Sequence, residues 1–132
     1  MELQYFNDRY AYKYDVRNRD RWRVLNQDSI GMFRGDCEDY SLSILYYVIC
    51  RESWLRFWLY LITFRAQLCG CYTKNERGHA VLRYRGQYID NWTKEWVSRE
   101  HMEGLGHNFW PWYRAIIPTT VAIKMLIAKV TP

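Results

Sequence analysis

The fold is decided by residues 36–50, which read DCEDYSLSILYYVIC. The segment contains neither Gly nor Pro, and it opens with Asp36 three positions before a second carboxylate, Asp39. This spacing is typical of a helix start, with Asp36 as the N-cap and Asp39 near the third helical position. Apolar side chains then follow on nearly every side of the predicted helix. Such a helix is buried in the middle of a domain.

The regions next to this helix give weaker signals. Residues 1–35 are polar and aromatic without a regular period, which predicts short helical turns and loops that cover the core. Residues 51–58 continue the helix, kink it or form a second short helix. From Leu59 onward, β-branched and aromatic residues predict a strand that runs to Cys69-Gly70-Cys71.

The second half of the chain is predicted to be mixed. Residues 74–78 form a polar turn, and residues 79–92 read as two strands around Gly86. A short helix is predicted near residues 94–103. The tail, residues 113–130, is predicted to hold at least one strand, and its last dozen residues fit helix and strand equally.

Composition restricts the class of protein. The chain has 132 residues, of which 49% are hydrophobic and 18% aromatic, so a disordered or fibrous chain is excluded. We expect a single domain over residues 1–132, because no linker or repeat divides the sequence. The longest apolar stretch, residues 42–64, is interrupted by charges, which predicts a soluble protein without a membrane span. The net charge of +5 is spread along the chain without a nucleic-acid motif, so nucleic-acid binding is not expected.

Four cysteines raise the question of compartment. The first residues, MELQYFNDRY, have neither the basic nor the apolar region of a secretory signal, which predicts a cytoplasmic protein with reduced thiols. A periplasmic location would require an export signal outside this numbering. Reduced cysteines are expected to serve reactivity or metal binding.

Cys37, His79 and Asp90 have the residue types and chain order of a nucleophilic triad. Cys37 falls in the first turn of the predicted helix, where unpaired N–H groups and the helix dipole favour a thiolate. A neutral imidazole could take the thiol proton and return it to a leaving amine, provided that a third group fixes its tautomer. His79 and Asp90 suit these two roles.

The hairpin register determines whether His79 and Asp90 meet. With a two-residue turn at Arg85-Gly86, Val81 pairs with Asp90, and His79 lies two residues further along the same face. A turn at Gly86-Gln87 keeps this face but increases the separation. A three-residue loop would place the aspartate on the opposite face unless a bulge restored the register.

Other residues compete for these roles. Cys69 and Cys71 with His79 resemble part of a zinc site, but their spacing is short and a fourth ligand is not evident, so they are predicted to be ordinary strand residues. His101 and His107 are alternative bases. Because they lie in a Gly-rich polar stretch without an acidic partner, we predict that both are solvated loop residues.

Three short motifs carry a family resemblance: GDCEDY (residues 35–40), GHAVL (78–82) and IDN (89–91). In this order they resemble the bacterial transglutaminase-like cysteine proteinases, within the transglutaminase and papain-like group. The resemblance covers roughly residues 20–92. It implies an α+β fold with a papain/transglutaminase-like core, in which a central helix bearing the nucleophile packs on a small antiparallel sheet. The triad it implies is Cys37, His79 and Asp90.

The resemblance also implies an activity, which is hydrolysis of an amide bond in a peptide or protein substrate through an acyl-enzyme. Calcium-dependent members of this group use acidic residues beside the nucleophile, and the matching positions are Asp36, Glu38 and Asp39. Three carboxylates oppose ionisation of a neighbouring thiol, and a hard divalent ion would neutralise them. The covalent chemistry itself requires no cofactor.

Two features stay open at this level. The oxyanion hole requires a donor aimed at the tetrahedral intermediate, and the candidates are the Cys37 backbone N–H, the Gln27 amide, Asn26 and Trp22. The same triad could also transfer the acyl group to an amine. On a catalytically silent scaffold, the chain would instead be a protein-binding module, for which an ordinary thiol pKa is expected.

Overall fold

The computed structural model describes residues 1–14 and 21–130. Five α-helices in these ranges are α1 (Leu3–Arg9), α2 (Cys37–Ser43), α3 (Trp54–Ile62), α4 (Arg99–Gly104) and α5 (Pro118–Val130). The strands are β1 (Tyr10–Tyr12), β2 (Phe33–Gly35), β3 (Ala66–Tyr72), β4 (Gly78–Tyr84), β5 (Gln87–Ile89) and β6 (Asn108–Phe109). A π-helical segment, Ile44–Ile49, continues α2, and a 3₁₀ turn, Trp112–Arg114, precedes α5.

Helix α2 begins as its sequence predicts. The Asp36 carboxylate accepts a hydrogen bond from the Asp39 backbone N–H at 3.2 Å, and the Asp39 carboxylate accepts one from the Asp36 N–H at 3.4 Å. This reciprocal pair is a capping box, in which each carboxylate satisfies a backbone donor at the helix N-terminus. The predicted N-cap is confirmed.

The end of the central helix is set by two residues with left-handed backbone. Arg51 and Glu52 have φ values of 49° and 63°, which stop the helical path. Ser53 then accepts a hydrogen bond from the Arg56 N–H at 3.2 Å and caps α3. Of the three possibilities for residues 51–58, the structure therefore has the second short helix. This helix runs to Ile62, so the strand predicted from Leu59 begins only at Ala66.

The main sheet is antiparallel, with the order β5-β4-β3-β6. Its β4–β5 hairpin pairs Tyr84 with Gln87, which leaves the two-residue turn Arg85-Gly86. Both turn residues have positive φ, 52° and 74°, the geometry that matches the twist of a tight hairpin. A shorter parallel pair, β1 and β2, lies outside this sheet. The mixed helix and sheet architecture confirms the α+β class.

The two faces of the sheet have different neighbours. Helix α2 lies against β3 and β4. The sheet residues in its core cluster are Ala66, Leu68, Ala80, Leu82 and Ile89. A second, smaller core on the other side is formed by Cys71, Val81, Tyr88 and Met102. Two residues of the site described below are Cys37, at the N-terminus of α2, and His79, on the strand β4 that α2 lies against.

Aromatic side chains fasten the N-terminal segment to the central helix. The rings of Phe6 and Phe33 lie 4.6 Å apart, and those of Tyr10 and Tyr40 lie 4.9 Å apart. The Tyr10 hydroxyl donates to the Gly35 carbonyl at 2.8 Å, immediately before the Cys37 turn. The N-terminal segment therefore supports the backbone that carries the candidate nucleophile.

The strand predicted in residues 113–130 is wrong, because this tail contains the 3₁₀ turn and α5 instead. Pro118 occupies the first helical position, where its missing N–H has no cost. Val121 and Met125, four residues apart, provide the buried side of α5, and helical spacing here outweighs β-branched composition. No helix within residues 1–14 and 21–130 combines the length and apolar character required to cross a bilayer.

Gly70 is expected to be intolerant of a side chain. A Cβ at this position would overlap the indole ring of Trp110, whose backbone N–H donates to the Gly70 carbonyl at 3.0 Å. We expect Gly70→Ala to lower the free energy of unfolding by about 1–3 kcal/mol, because the ring must leave the sheet. Gly104→Ala is the matched control, since no atom lies within 4 Å of the added methyl. Equal denaturation midpoints for the two variants would contradict the expectation.

Candidate functional site

His79 and Asp90 meet across the β4–β5 hairpin. His79 Nε2 lies 2.8 Å from Asp90 Oδ2, and both residues are buried. The contact depends on the two-residue turn at Arg85-Gly86, because this register places both side chains on one face of the sheet. The His–Asp hydrogen bond that this register permits is therefore present.

His107 binds the same carboxylate oxygen, and the sequence prediction for this residue is wrong. Its Nε2 lies 2.9 Å from Asp90 Oδ2, and its side chain is fully buried rather than solvated. Gly106, with φ of 96°, turns the chain immediately before it, and β6 then pairs with β3. His101, the other histidine of that stretch, is exposed on α4.

Asp90 accepts hydrogen bonds on both oxygens. Oδ1 accepts from the backbone N–H groups of Trp92 and Thr93 at 3.1 and 2.8 Å, while Oδ2 faces the two histidines. Burial alone would raise the pKa of Asp90, but these hydrogen bonds outweigh it and lower the pKa to about 2. The carboxylate is therefore ionised at neutral pH.

The ionised carboxylate decides the tautomer of both histidines. Since a carboxylate only accepts hydrogen bonds, each Nε2 that faces it must carry a hydrogen. In neutral His79, Nδ1 is then the basic ring nitrogen. The Trp92 ring lies against both imidazoles, with centroid separations of 4.9 Å from His79 and 5.1 Å from His107.

Cys37 is the first residue of α2, beside the start of β4. Its thiol accepts a backbone hydrogen bond from Ala80, the residue that follows His79. The thiol hydrogen is directed to Glu38 Oε2 at 3.2 Å rather than to the imidazole. Burial raises the pKa of Cys37 well above its ordinary value, and the charges of Glu38 and Asp36 raise it further.

The acidic residues beside the thiol are mostly engaged in structure. Asp36 and Asp39 form the capping box, and Asp39 Oδ1 also accepts the Arg23 backbone N–H at 2.9 Å. Burial and the charge of Asp36 raise the pKa of Glu38 to about 7 and that of Asp39 to about 8. Calcium binding by Asp36, Glu38 and Asp39 stays a prediction, with Glu38 the carboxylate that has no capping role.

The side chain of Gln27 is directed into a neighbouring turn. Its Nε2 donates to the Gly31 carbonyl at 3.0 Å and to the Tyr5 hydroxyl at 3.4 Å. A contribution to the oxyanion hole would require the amide to leave these partners. The Cys37 backbone N–H, at the first helical position, is the candidate donor that needs no such movement.

The remaining cysteines lie apart from the α2 terminus. All four cysteines are free thiols. Cys71 pairs with His79 in the β3–β4 register, and Cys69 pairs with Val81, so both behave as the strand residues that the sequence predicts. Burial raises the pKa of Cys71 to about 12 and that of Cys50 to about 11, so both thiols are protonated at neutral pH.

Comparison with known proteins gives no family assignment. No family model, curated protein or solved structure matches the chain. The geometry of the site and the three motifs are therefore what point to a function.

Glu38 is expected to control the reactivity of Cys37. Its carboxylate accepts the thiol hydrogen bond and opposes the thiolate charge. We expect Glu38→Gln to lower the pKa of the Cys37 thiol by about 1–2 units, because the like charge is removed. The measurement is the rate of iodoacetamide alkylation of Cys37 against pH, followed by peptide mass spectrometry.

The matched control is Glu95→Gln, which changes an exposed glutamate. It should leave the alkylation profile of Cys37 unchanged. If both variants gave the wild-type profile, Glu38 would have no electrostatic influence on the sulfur.

Proposed function

We propose that the protein is a cysteine hydrolase that cleaves an amide bond in a peptide or protein substrate through an acyl-enzyme. The observation that carries the proposal is the buried His79–Asp90 hydrogen bond, with the Cys37 sulfur at the backbone of Ala80, the residue next to the base. Nucleophile, base and orienting acid are the three parts that such chemistry requires.

In the proposed reaction, His79 Nδ1 takes the thiol proton as the Cys37 sulfur attacks the substrate carbonyl. The oxygen of the tetrahedral intermediate becomes negative, and the Cys37 backbone N–H is placed to stabilise it. The imidazolium then gives its proton to the leaving amine, and the C–N bond breaks. Water then attacks the thioester as His79 takes one of its protons, the C–S bond breaks to release the acid, and the imidazolium returns that proton to the Cys37 thiolate. Asp90 holds the imidazole in the required tautomer throughout.

Before attack, the thiol must turn from Glu38 to His79. Substrate binding is proposed to favour this rotation by excluding water and placing the carbonyl beside the sulfur. If calcium binds, as the resemblance implies, Glu38 and Asp36 would hold it, and it would supply positive charge beside the thiolate. The proximity of these carboxylates supports this assignment, because the charge of Asp36 raises the pKa of Glu38.

The fold supports a papain/transglutaminase-like core as part of the proposal. A central helix with the cysteine at its N-terminus lies against an antiparallel sheet that presents the histidine on β4 and the aspartate directly after β5. This arrangement is similar to the one that the GDCEDY, GHAVL and IDN motifs imply through their resemblance to the transglutaminase-like cysteine proteinases. Transfer of the acyl group to an amine would use the same residues and would differ only in the final nucleophile.

A second candidate function is a protein-binding module that has lost turnover. It is favoured by the Cys37–Glu38 hydrogen bond, in which the resting thiol hydrogen is directed to a carboxylate and not to a base of the triad. On this alternative, His79, Asp90 and His107 form a structural network. The two candidates differ in whether Cys37 forms a covalent acyl adduct.

The test is acylation of the native protein by p-nitrophenyl acetate, followed by intact mass and peptide mapping. Hydrolase chemistry predicts a burst of one nitrophenolate per chain, an acetyl group on Cys37, and slow release of acetate. Addition of an alkylamine separates transfer from hydrolysis, and parallel samples with Ca²⁺ or a chelator test the metal. Acetylation spread over the other thiols, without turnover, would support the binding module.

A further inference from the structure

The buried cluster of His79, Asp90 and His107 has the composition of a metal site. Within the described residues, the ligand atoms of His79, Asp90 and His107 all lie within 4.8 Å of one another. We infer that these three side chains bind Zn²⁺, and that the bound ion switches off the thiol chemistry. The second half of this inference rests on the proposed function, whereas the first half does not.

Two imidazole nitrogens and one carboxylate oxygen are a donor set that zinc uses when water takes the fourth position. The nitrogens converge already, since both Nε2 atoms are directed to Asp90 Oδ2 at 2.8 and 2.9 Å. At zinc–ligand distances of 2.0–2.2 Å, tetrahedral ligand atoms lie about 3.3 Å apart. Each contact therefore has to open by only about 0.5 Å.

The electrostatics of the cluster favour a cation. The hydrogen-bond partners of the buried Asp90 carboxylate are two imidazoles and two backbone N–H groups, none of which carries a permanent positive charge. A divalent ion would supply that charge directly. Trp92 is 53% exposed and its ring lies against both imidazoles, so its displacement would give the ion a route of entry.

Zinc binding would change the tautomer of His79. In the structure, Nε2 carries the hydrogen that Asp90 accepts, and Nδ1 is the base. A zinc ion on Nε2 replaces that hydrogen, and the neutral imidazole then carries its hydrogen on Nδ1. His79 would no longer be able to take the thiol proton. His107 would undergo the same change of tautomer. Zinc binding would therefore replace two N–H···O hydrogen bonds with three metal–ligand bonds.

Zinc binding by the cluster is tested on the Cys37→Ala protein, without any measurement of activity. In this variant the candidate nucleophile cannot supply a thiolate ligand. We expect isothermal titration calorimetry with Zn²⁺ to give one site per chain. His107→Gln should weaken this site by at least about tenfold. His101→Gln should leave it unchanged, because His101 is exposed on α4 and lies outside the cluster.

Nitrogen chemical shifts provide a readout on protein with all its histidines intact. The chain has three histidines, and zinc should move the ring hydrogen from Nε2 to Nδ1 in two of them, His79 and His107. Co²⁺ should give visible bands of a nitrogen and oxygen site without a thiolate charge-transfer band. Three results would each refute the proposed zinc site: no zinc binding, unchanged histidine tautomers, or a thiolate band that assigns Cys71 as a ligand.

The inhibitory half is tested on the wild-type protein. We expect stoichiometric Zn²⁺ to abolish the nitrophenyl acetate burst and a chelator to restore it. Zinc binding by a protein that shows no burst when metal-free would refute the hydrolase and leave the zinc site standing. A burst that persists at saturating zinc would refute the switch alone.

Discussion

Replacement of Cys37 by alanine is expected to reduce turnover of a peptide or ester substrate by at least 10³-fold, on the order of the loss for a removed nucleophile, because the proposed acyl-enzyme cannot form. Cys37→Ser should be similarly impaired, since a hydroxyl beside Glu38 ionises even less readily than the thiol. The side chain lies at the edge of the core, so unfolding midpoints should change little. The measurement is the steady-state rate together with the burst amplitude.

The matched control is Cys69→Ala, which removes a half-buried thiol from the sheet face opposite α2. This variant should retain the wild-type rate and burst. Retained turnover in Cys37→Ala would exclude Cys37 as the nucleophile.

Asp90 is expected to be the most sensitive residue for both stability and catalysis. Asp90→Ala would leave two buried imidazoles and the N–H groups of Trp92 and Thr93 without their acceptor. We expect a loss of about 3–5 kcal/mol in the free energy of unfolding, as for removal of one partner from a buried charged network. Chemical denaturation of the variant measures this loss.

Asp90→Asn separates the catalytic role from the structural one. The amide keeps the shape and one carbonyl acceptor, but its NH₂ group facing His79 would hold the imidazole with its hydrogen on Nδ1. The expected loss in kcat is about 10⁴-fold with a smaller loss of stability. Asp8→Asn, an exposed change on α1, should affect neither quantity. A nearly active, stable Asp90→Asn protein would show that the tautomer of His79 is irrelevant to the reaction.

Local signals explain which parts of the structure were predictable. The Asp36 and Asp39 spacing encodes the start of α2 because both partners of the capping box lie within one turn. The hairpin was accessible in part: its two strands around Gly86 were predicted, whereas the turn at Arg85-Gly86, which fixes the facing side chains, was one of three alternatives. In both cases the interacting residues are close in sequence, and the backbone geometry has few alternatives.

Tertiary contacts account for the failures. Nothing around His107 indicates burial, because its partner Asp90 lies on another element and only the β3–β6 pairing brings them together. The direction of the Cys37 thiol could not be predicted from the sequence either. Glu38 follows Cys37 in the chain whichever way the thiol points, so the sequence does not show that the two side chains are hydrogen-bonded. The tail was misjudged because its isoleucines and valines resemble a strand, whereas packing of Val121 and Met125 selects the helix.

The two imidazole partners of the shared Asp90 oxygen are made at different times during protein synthesis. Cys37, His79 and Asp90 leave the ribosome before His107, and β6, which follows His107, is the last strand of the main sheet to be made. The second imidazole partner of Asp90 Oδ2 is therefore available only once the later part of the sheet has been synthesised.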